Sequence, residues 1–138
     1  WRAVDHDGEV LESFVTKTRE KKAALKFLKK AMRKHGCPEV FVKDLLRSYG
    51  AALKELVAAG RQETGRWLNN RAENSHLPFR RRERAMLRFR RMRSLQKFAA
   101  VHASVYNHFN QERSLSTRTN FKLNRAVALA EWRQLGAA

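Results

Sequence analysis

One short apolar run near the middle of the chain most constrains its fold. Val40-Phe41-Val42 is apolar and mostly β-branched, and it lies between two longer stretches in which leucine, methionine and alanine recur every three or four residues. That recurrence is typical of helices with one buried face, whereas the short apolar run predicts a buried strand. A strand between two helices argues against a helix bundle, so we expect an α/β chain.

A hairpin and a helix are predicted before this strand. Two apolar-rich segments, Trp1–Val4 and Val10–Val15, flank Asp7-Gly8, a dipeptide that tolerates the positive φ angles of a hairpin turn. The helix that follows is expected to begin at a threonine cap, Thr16 or Thr18, and to end at a glycine.

The second half of the chain is predicted to be mainly helical. A helix over Leu45–Ala59, closed by a glycine, precedes a short strand within Arg61–Leu68. The next helix is expected to start with Asn70 as its cap and Glu73 completing a capping box, and Pro78 is expected to interrupt it.

A long amphipathic helix is then expected to continue from an arginine-rich segment. Its apolar stripe comprises Leu95, Phe98, Val101, His102, Val105 and Phe109. We expect residues 1–112 to form one domain, and residues 113–138 to form a polar tail with a short helix near 126–135.

The charge of the chain points to a polyanionic partner. The 138 residues include 30 Lys+Arg and 13 Asp+Glu, a formal charge of +17, and Arg80–Arg93 alone holds eight arginines. Arginine can grip phosphate through two hydrogen bonds at once, so nucleic acid is the expected partner. A solvated helix face is the ordinary alternative. A membrane-surface helix is another, because Met86, Leu87, Phe89 and Met92 interrupt the arginines.

Other functional classes find little support in the sequence. No apolar stretch approaches the ~20 residues needed to cross a bilayer. Cys37 is the only cysteine, so an internal disulfide is excluded and a reducing cytoplasm is the expected setting. The five histidines have no zinc-ligand spacing, and no glycine-rich phosphate loop is present.

Two carboxylates stand out by their positions. Asp44 follows the predicted central strand, and open α/β sheets bind their ligands at the carboxyl ends of strands. Glu73 opens a helix just before the arginine-rich segment. A pair of acidic groups beside a positive surface suits metal-dependent phosphoryl transfer. The alternative is that both carboxylates simply cap their helices.

Three stretches carry a family resemblance: VKDLLRSYGAALKEL, GRWLNNRAENSHLPFRRRERAMLRFR and SVYNHFNQERSL. They resemble the DDE transposases of bacterial insertion sequences, most closely the insertion-sequence-six family, and the similarity runs over essentially the whole chain. The second stretch is the most specific, because an Asn-Asn-x-x-Glu helix start is followed two turns later by a basic residue.

The resemblance implies roles for individual residues. Asp44 matches the second acidic residue of the catalytic triad and Glu73 the third, so both would be ligands of Mg²⁺ or Mn²⁺. Arg80 matches a basic residue that contacts the transposon end. The DNA contacts implied in this way or by the arginine run are Asn70, Asn74, His76, Arg80, Arg81, Arg82, Arg84 and Arg88.

The resemblance also implies a fold and an activity. The fold would be similar to ribonuclease H, with a mixed sheet flanked by helices. The activity would be metal-dependent cleavage and strand transfer at insertion-sequence ends, with transposon and target DNA as partners and no small-molecule substrate. A bacterial, nucleoid-associated, cytoplasmic protein that is homo-oligomeric at full length is expected.

The departures from the family pattern bear on activity. The family's first strand and first aspartate align upstream of Trp1, so this chain is expected to be the C-terminal part of the catalytic domain. Asp5 falls on a hairpin turn and is no substitute for that aspartate. Lys43 and Leu45 replace the family's usual Thr and Gly. Catalysis by this chain alone is therefore not expected, and a non-catalytic basic DNA-binding module or remnant is the alternative.

Overall fold

Nine helices and strands make up the part of the chain that the computed structural model describes, which is residues 1–44, 46–56, 61–64, 68–111 and 115–137. In chain order they are β1 (Arg2–Val4), β2 (Val10–Ser13), α1 (Lys21–His35), β3 (Phe41–Lys43), α2 (Arg47–Leu56), β4 (Gln62–Thr64), α3 (Asn70–Ala85), α4 (Met92–Phe109) and α5 (Arg118–Ala137). The α/β class is confirmed. Leu45, the predicted helix end at Ala59 and the predicted domain boundary at residue 112 lie outside the described residues.

The strands form two small sheets. β1 and β2 are the predicted antiparallel hairpin, whose turn contains Gly8 at φ +84°. β3 and β4 pair in parallel, with α2 as the crossover between them. Among the described residues each strand has one strand partner, so the single mixed sheet of a ribonuclease-H-like fold is not seen as such. One edge of β1 and one of β3 are thus without a strand neighbour among the described residues.

The main core lies between α1 and α2. Its buried residues are Ala24, Phe27, Leu28, Ala52 and Leu53. Alanines with no exposed surface in both helices allow the backbones to approach closely. Trp1 closes one side of this core, with its ring edge-on to Tyr49 at 4.9 Å between centroids. The hairpin and the helix pair therefore share one apolar core.

α4 lies across β2 and completes the hydrogen bonding of that strand. The Asn107 side chain accepts from the Val10 amide at 2.8 Å and donates to the Val10 carbonyl at 2.9 Å. The Gln96 side chain makes the equivalent pair with the Val15 amide and the Ser13 carbonyl, both at 2.8 Å. Because the two side chains are three helical turns apart, they face the strand together.

The predicted buried strand is present but exposed. It runs one residue later than expected, and Val40 and Val42 are 47% and 43% exposed, while Phe41 packs against the core. The physical reason is that a strand in a two-stranded sheet, covered on one side only, leaves its other face in water.

The predicted start of the first helix is also wrong. α1 begins at Lys21 with Glu20 at its cap position, and it ends at Gly36 as expected. The Thr16 hydroxyl accepts from the Trp1 indole at 2.8 Å and donates to the Thr18 carbonyl at 2.7 Å, so it already has other partners. Thr16, one of the two predicted caps, is therefore engaged in a tertiary hydrogen bond with Trp1 and does not cap α1.

Two expectations about the arginine-rich region are corrected. α3 continues through Pro78. Proline has no backbone N–H, so the carbonyl four residues earlier loses its helical hydrogen bond. Because Pro78 is exposed, water can satisfy that carbonyl. The long helix predicted after it is divided by a turn in which Leu87 and Arg88 have φ values of 57° and 65°. Val101 is 63% exposed and does not belong to the buried stripe of α4.

The C-terminal helix is longer than predicted. α5 spans Arg118–Ala137, and its buried residue among those described is Ala128. It contacts α4 through Trp132, whose ring lies 5.6 Å from that of Phe109, and through His108, which bonds the Ala128 carbonyl at 2.8 Å. α5 is therefore attached along one narrow stripe.

Candidate functional site

The predicted site residues of α3 share its outward side. Successive helical residues are 100° apart, so positions 70, 73, 77, 80, 81 and 84 fall on one side of the axis and the buried Ser75 and Phe79 fall on the other. We call this outward side the arginine face; it comprises Asn70, Glu73, Asn74, Arg80, Arg81 and Arg84. Glu73 and Arg80 lie about 10 Å apart along the helix axis, since each residue rises 1.5 Å.

Arg2, on β1, holds the inward side of the same helix. Its Nε donates to Ser75 Oγ and its Nη2 donates to the Ser75 carbonyl, both at 2.9 Å. The guanidinium lies 5.8 Å from the ring centroid of Phe79 and 5.9 Å from that of Tyr106. No local sequence pattern marks Arg2, because its partner Ser75 is 73 residues away in the chain.

Glu73 lies in the first turn of α3 and is exposed. Asn69, not Asn70, occupies the cap position, and its carbonyl accepts from the Glu73 amide at 3.1 Å. The Asn69 side-chain amide lies 3.5 Å from the Glu73 carboxylate, in place of the predicted capping box. The carboxylate therefore has oxygen atoms available on the arginine face.

Asp44 follows β3, as predicted, and is also exposed. Its carboxylate accepts from the Leu46 amide at 3.0 Å, immediately before α2 begins. This bond favours the helix-start role that the sequence left open, although one carboxylate oxygen remains available. Burial raises the pKa of the nearby Tyr49 hydroxyl, and the negative charge of Asp44 raises it further.

The described residues do not complete a metal site. Carboxylate oxygens are the ligand type that Mg²⁺ prefers. Within the described ranges, however, no group of three His, Cys, Asp or Glu residues is arranged to hold a metal ion. Asp5 lies in the hairpin turn, where its carboxylate accepts from the amides of Asp7 and Glu9.

The basic residues are not equivalent. Arg81 and Arg84 are exposed on the arginine face, whereas Arg80 pairs with Glu83 at 3.1 Å. Arg82 lies toward His102, and its charge contributes to lowering the pKa of that histidine. Arg88 lies in the left-handed turn after α3. The eight arginines of the segment are therefore divided among a helix, a turn and the start of α4.

His76 lies at the border between the arginine face and the core. Its ring stacks on Phe79 with centroids 5.5 Å apart. Burial lowers the pKa of His76 from its ordinary value, and the charges of Arg2 and Arg80 lower it further. At neutral pH the ring is uncharged, so it can meet DNA through hydrogen bonds or packing but not as a cation.

Comparison with known proteins identifies one relationship. A family model described as the DDE domain matches residues 1–112. The comparisons with curated proteins and with solved structures found no match. Within the described residues, no helix is long and apolar enough to cross a membrane.

Proposed function

The chain belongs to the DDE domain family of transposases, and from that premise we propose that its arginine face binds the DNA on which transposition takes place. The family supports a transposase-type nuclease or transferase in general. Our proposal is more specific, because it assigns cleavage and strand transfer at insertion-sequence ends, as in the insertion-sequence-six family.

The arrangement of α3 is the observation that carries this proposal. One exposed helix side presents Arg81 and Arg84 beside Glu73, and the opposite side is anchored by Arg2. Exposed arginines beside an acidic residue suit a surface that holds the phosphate backbone close to reactive groups. The net charge of +17 supports the same partner, because it attracts polyanions at long range.

Asp44 and Glu73 are proposed as acidic residues of the reaction centre. Both carboxylates are exposed and belong to the ligand class that holds Mg²⁺ or Mn²⁺. A bound divalent metal would stabilise the charge that develops on phosphate oxygens. The described residues supply only part of the ligands that a divalent metal needs. The proposed role of Asp44 and Glu73 is therefore to provide two of those ligands.

A non-catalytic DNA-binding module is the second candidate. It is supported by the Asp44–Leu46 bond, which gives that carboxylate a structural role, and by the incomplete ligand set of the described residues. Both candidates include salt-sensitive DNA binding, and they differ in whether cleavage and joining also occur. In both cases the proposed setting is the nucleoid of a bacterial cytoplasm, with homo-oligomers at full length.

DNA binding tests the shared part of the proposal. The double variant Arg81→Gln/Arg84→Gln is compared with Arg33→Gln/Arg118→Gln, which removes the same charge from exposed positions on α1 and α5. We expect the first variant to reduce the slope of log K against log salt by about 2, since each lost phosphate contact contributes about 0.9. We expect the control to leave that slope nearly unchanged.

Fluorescence anisotropy with labelled duplex DNA gives both slopes. The salt concentration is varied between 50 and 200 mM, a range over which proteins that bind through phosphate contacts lose most of their DNA affinity. Equal slopes for the two variants would mean that total charge, not the arginine face, determines binding. Binding that does not weaken with salt would contradict the proposed phosphate contacts altogether.

A further inference from the structure

A cavity of about 280 Å³ lies where α3, α4 and α5 meet. Its walls are mainly aromatic or flat: Pro78 from α3, Tyr106 and Phe109 from α4, and Phe121 from α5. Pockets for drug-sized ligands begin at about 300 Å³, so this volume suits one ring system. The rings of Tyr106 and His102, which both line the cavity, are nearly parallel, at 15°, with centroids 6.5 Å apart.

Two of the residues that line this cavity, His102 and Gln111, each carry a buried polar atom. His102 Nδ1 and Gln111 Oε1 are both buried, and neither has a hydrogen-bond partner in the described part of the chain. Buried polar atoms without a partner are costly, and most such atoms in folded proteins are satisfied. Burial, followed by the charges of Arg2 and Arg82, lowers the pKa of His102, so a neutral ring offers one donor and one acceptor.

The charges around the cavity select the kind of ligand. Arg125 lies on its wall, and Arg82 acts on His102 at its base. Pro78 belongs to the same helix as the arginine face, so the cavity lies beside the surface proposed to hold the DNA backbone. A ligand that is flat, aromatic and able to hydrogen-bond, and that is linked to phosphate, fits all of these features together.

We propose that this cavity receives one unpaired base of the bound DNA, an inference that rests on the proposed function. The base stacks on Tyr106, while Arg125 meets the adjacent phosphate. Aromatic stacking of single bases is sequence-tolerant, because every base has a flat face.

The test compares two duplexes of equal length and charge. One carries a single bulged adenine, and the other carries an abasic residue at the same place, so the number of phosphates matches and only the base differs. We expect the whole chain to bind the adenine duplex roughly tenfold more tightly, within the range known for base stacking on aromatic residues. Val105→Trp, which fills the cavity, should bring the two affinities together.

Val101→Trp is the matched control, because Val101 is one turn earlier on α4 and exposed. It should keep the preference for the adenine duplex. If the larger side chain at position 105 prevents folding, Phe121→Leu, which removes one ring and keeps apolar volume, should reduce the preference severalfold.

Two outcomes would overturn the inference in different ways. Equal, salt-sensitive affinities of the unmodified chain for the adenine and abasic duplexes would exclude a base pocket and leave the proposed DNA-binding function intact. Absence of salt-sensitive binding to either duplex would overturn both the pocket and the proposed function.

Discussion

At the scale of single residues, Arg2 has the most consequences for the candidate site. It joins β1 to α3 through two hydrogen bonds to Ser75, two positions after Glu73. Its charge also contributes to lowering the pKa of His76 and of His102, after burial in both cases. A strand residue therefore influences both the orientation of the arginine face and the protonation of the histidines near it.

The lowered histidine pKa values predict how stability depends on pH. In the unfolded chain both histidines take up a proton as the pH falls below 6.5, whereas in the folded chain they do so at lower pH. The unfolded state then binds more protons, so the free energy of unfolding should decrease as the pH falls from 7 toward 5.

Urea denaturation across that range measures the effect. The variant His76→Gln/His102→Gln should show a flatter dependence of the unfolding free energy on pH. The same slope in the variant and in the unmodified chain would show that these two histidines are not its source.

At the scale of elements, α4 stabilises the hairpin by side-chain hydrogen bonds to β2. Gln96 and Asn107 satisfy backbone groups at both ends of the strand segment. The apolar stripe predicts α4 from the sequence, but no sequence pattern marks Gln96 and Asn107 as partners of the strand. An amphipathic pattern shows which side of a helix is buried; it does not show which polar residues on that side meet a strand edge.

Loss of one such amide should destabilise the fold. Asn107→Leu removes both partners of Val10, so we expect the free energy of unfolding to fall by about 2 kcal/mol, the typical cost of unsatisfied buried backbone groups. Asn120→Leu, at an exposed position of α5, should change it by roughly 0.5 kcal/mol or less. Thermal or urea denaturation of both variants measures the difference, and equal losses would refute the edge-capping role of Asn107.

At the scale of the whole molecule, Asp44 and the arginine face, which includes Glu73, belong to separate parts of the fold. Asp44 follows the β3–β4 sheet, while Glu73 lies on α3, which the hairpin residue Arg2 anchors. Their joint action therefore depends on how these parts are arranged around bound DNA. The family resemblance assigns Asp44 and Glu73 to one site. In the fold, Asp44 is positioned by its bond to the Leu46 amide, and Glu73 by the first turn of α3.

The reaction itself distinguishes the two candidate functions. In a version extended upstream of Trp1 by the family's first strand and its aspartate, with transposon-end DNA and Mg²⁺, Glu73→Gln and Asp44→Asn should abolish cleavage and joining while DNA affinity stays within about twofold, because each variant removes one negative charge from a strongly positive protein. Glu131→Gln, which makes the same charge change on exposed α5, is the control and should leave the reaction unchanged.

Gel analysis of cleaved and joined products, with anisotropy for affinity, gives both quantities. Undiminished joining by Glu73→Gln would remove that residue from the reaction centre. DNA binding by the extended, otherwise unmodified version without any cleavage or joining would favour the non-catalytic module.

Local patterns in the sequence predict the α/β class, the hairpin at Gly8 and the order of helices and strands. They do not predict the shared face of Glu73 and Arg84, because Pro78 was expected to interrupt the helix between these two residues. The predicted features follow from local spacing, because the regular geometry of helices and strands relates the spacing of residues along the chain to the face on which their side chains lie. Only the tertiary structure decided that Thr16 bonds Trp1 rather than capping α1, that Val42 is exposed, and that Arg2 anchors α3. Such contacts join residues far apart in the chain, and their free energy depends on which surfaces meet when the whole molecule packs.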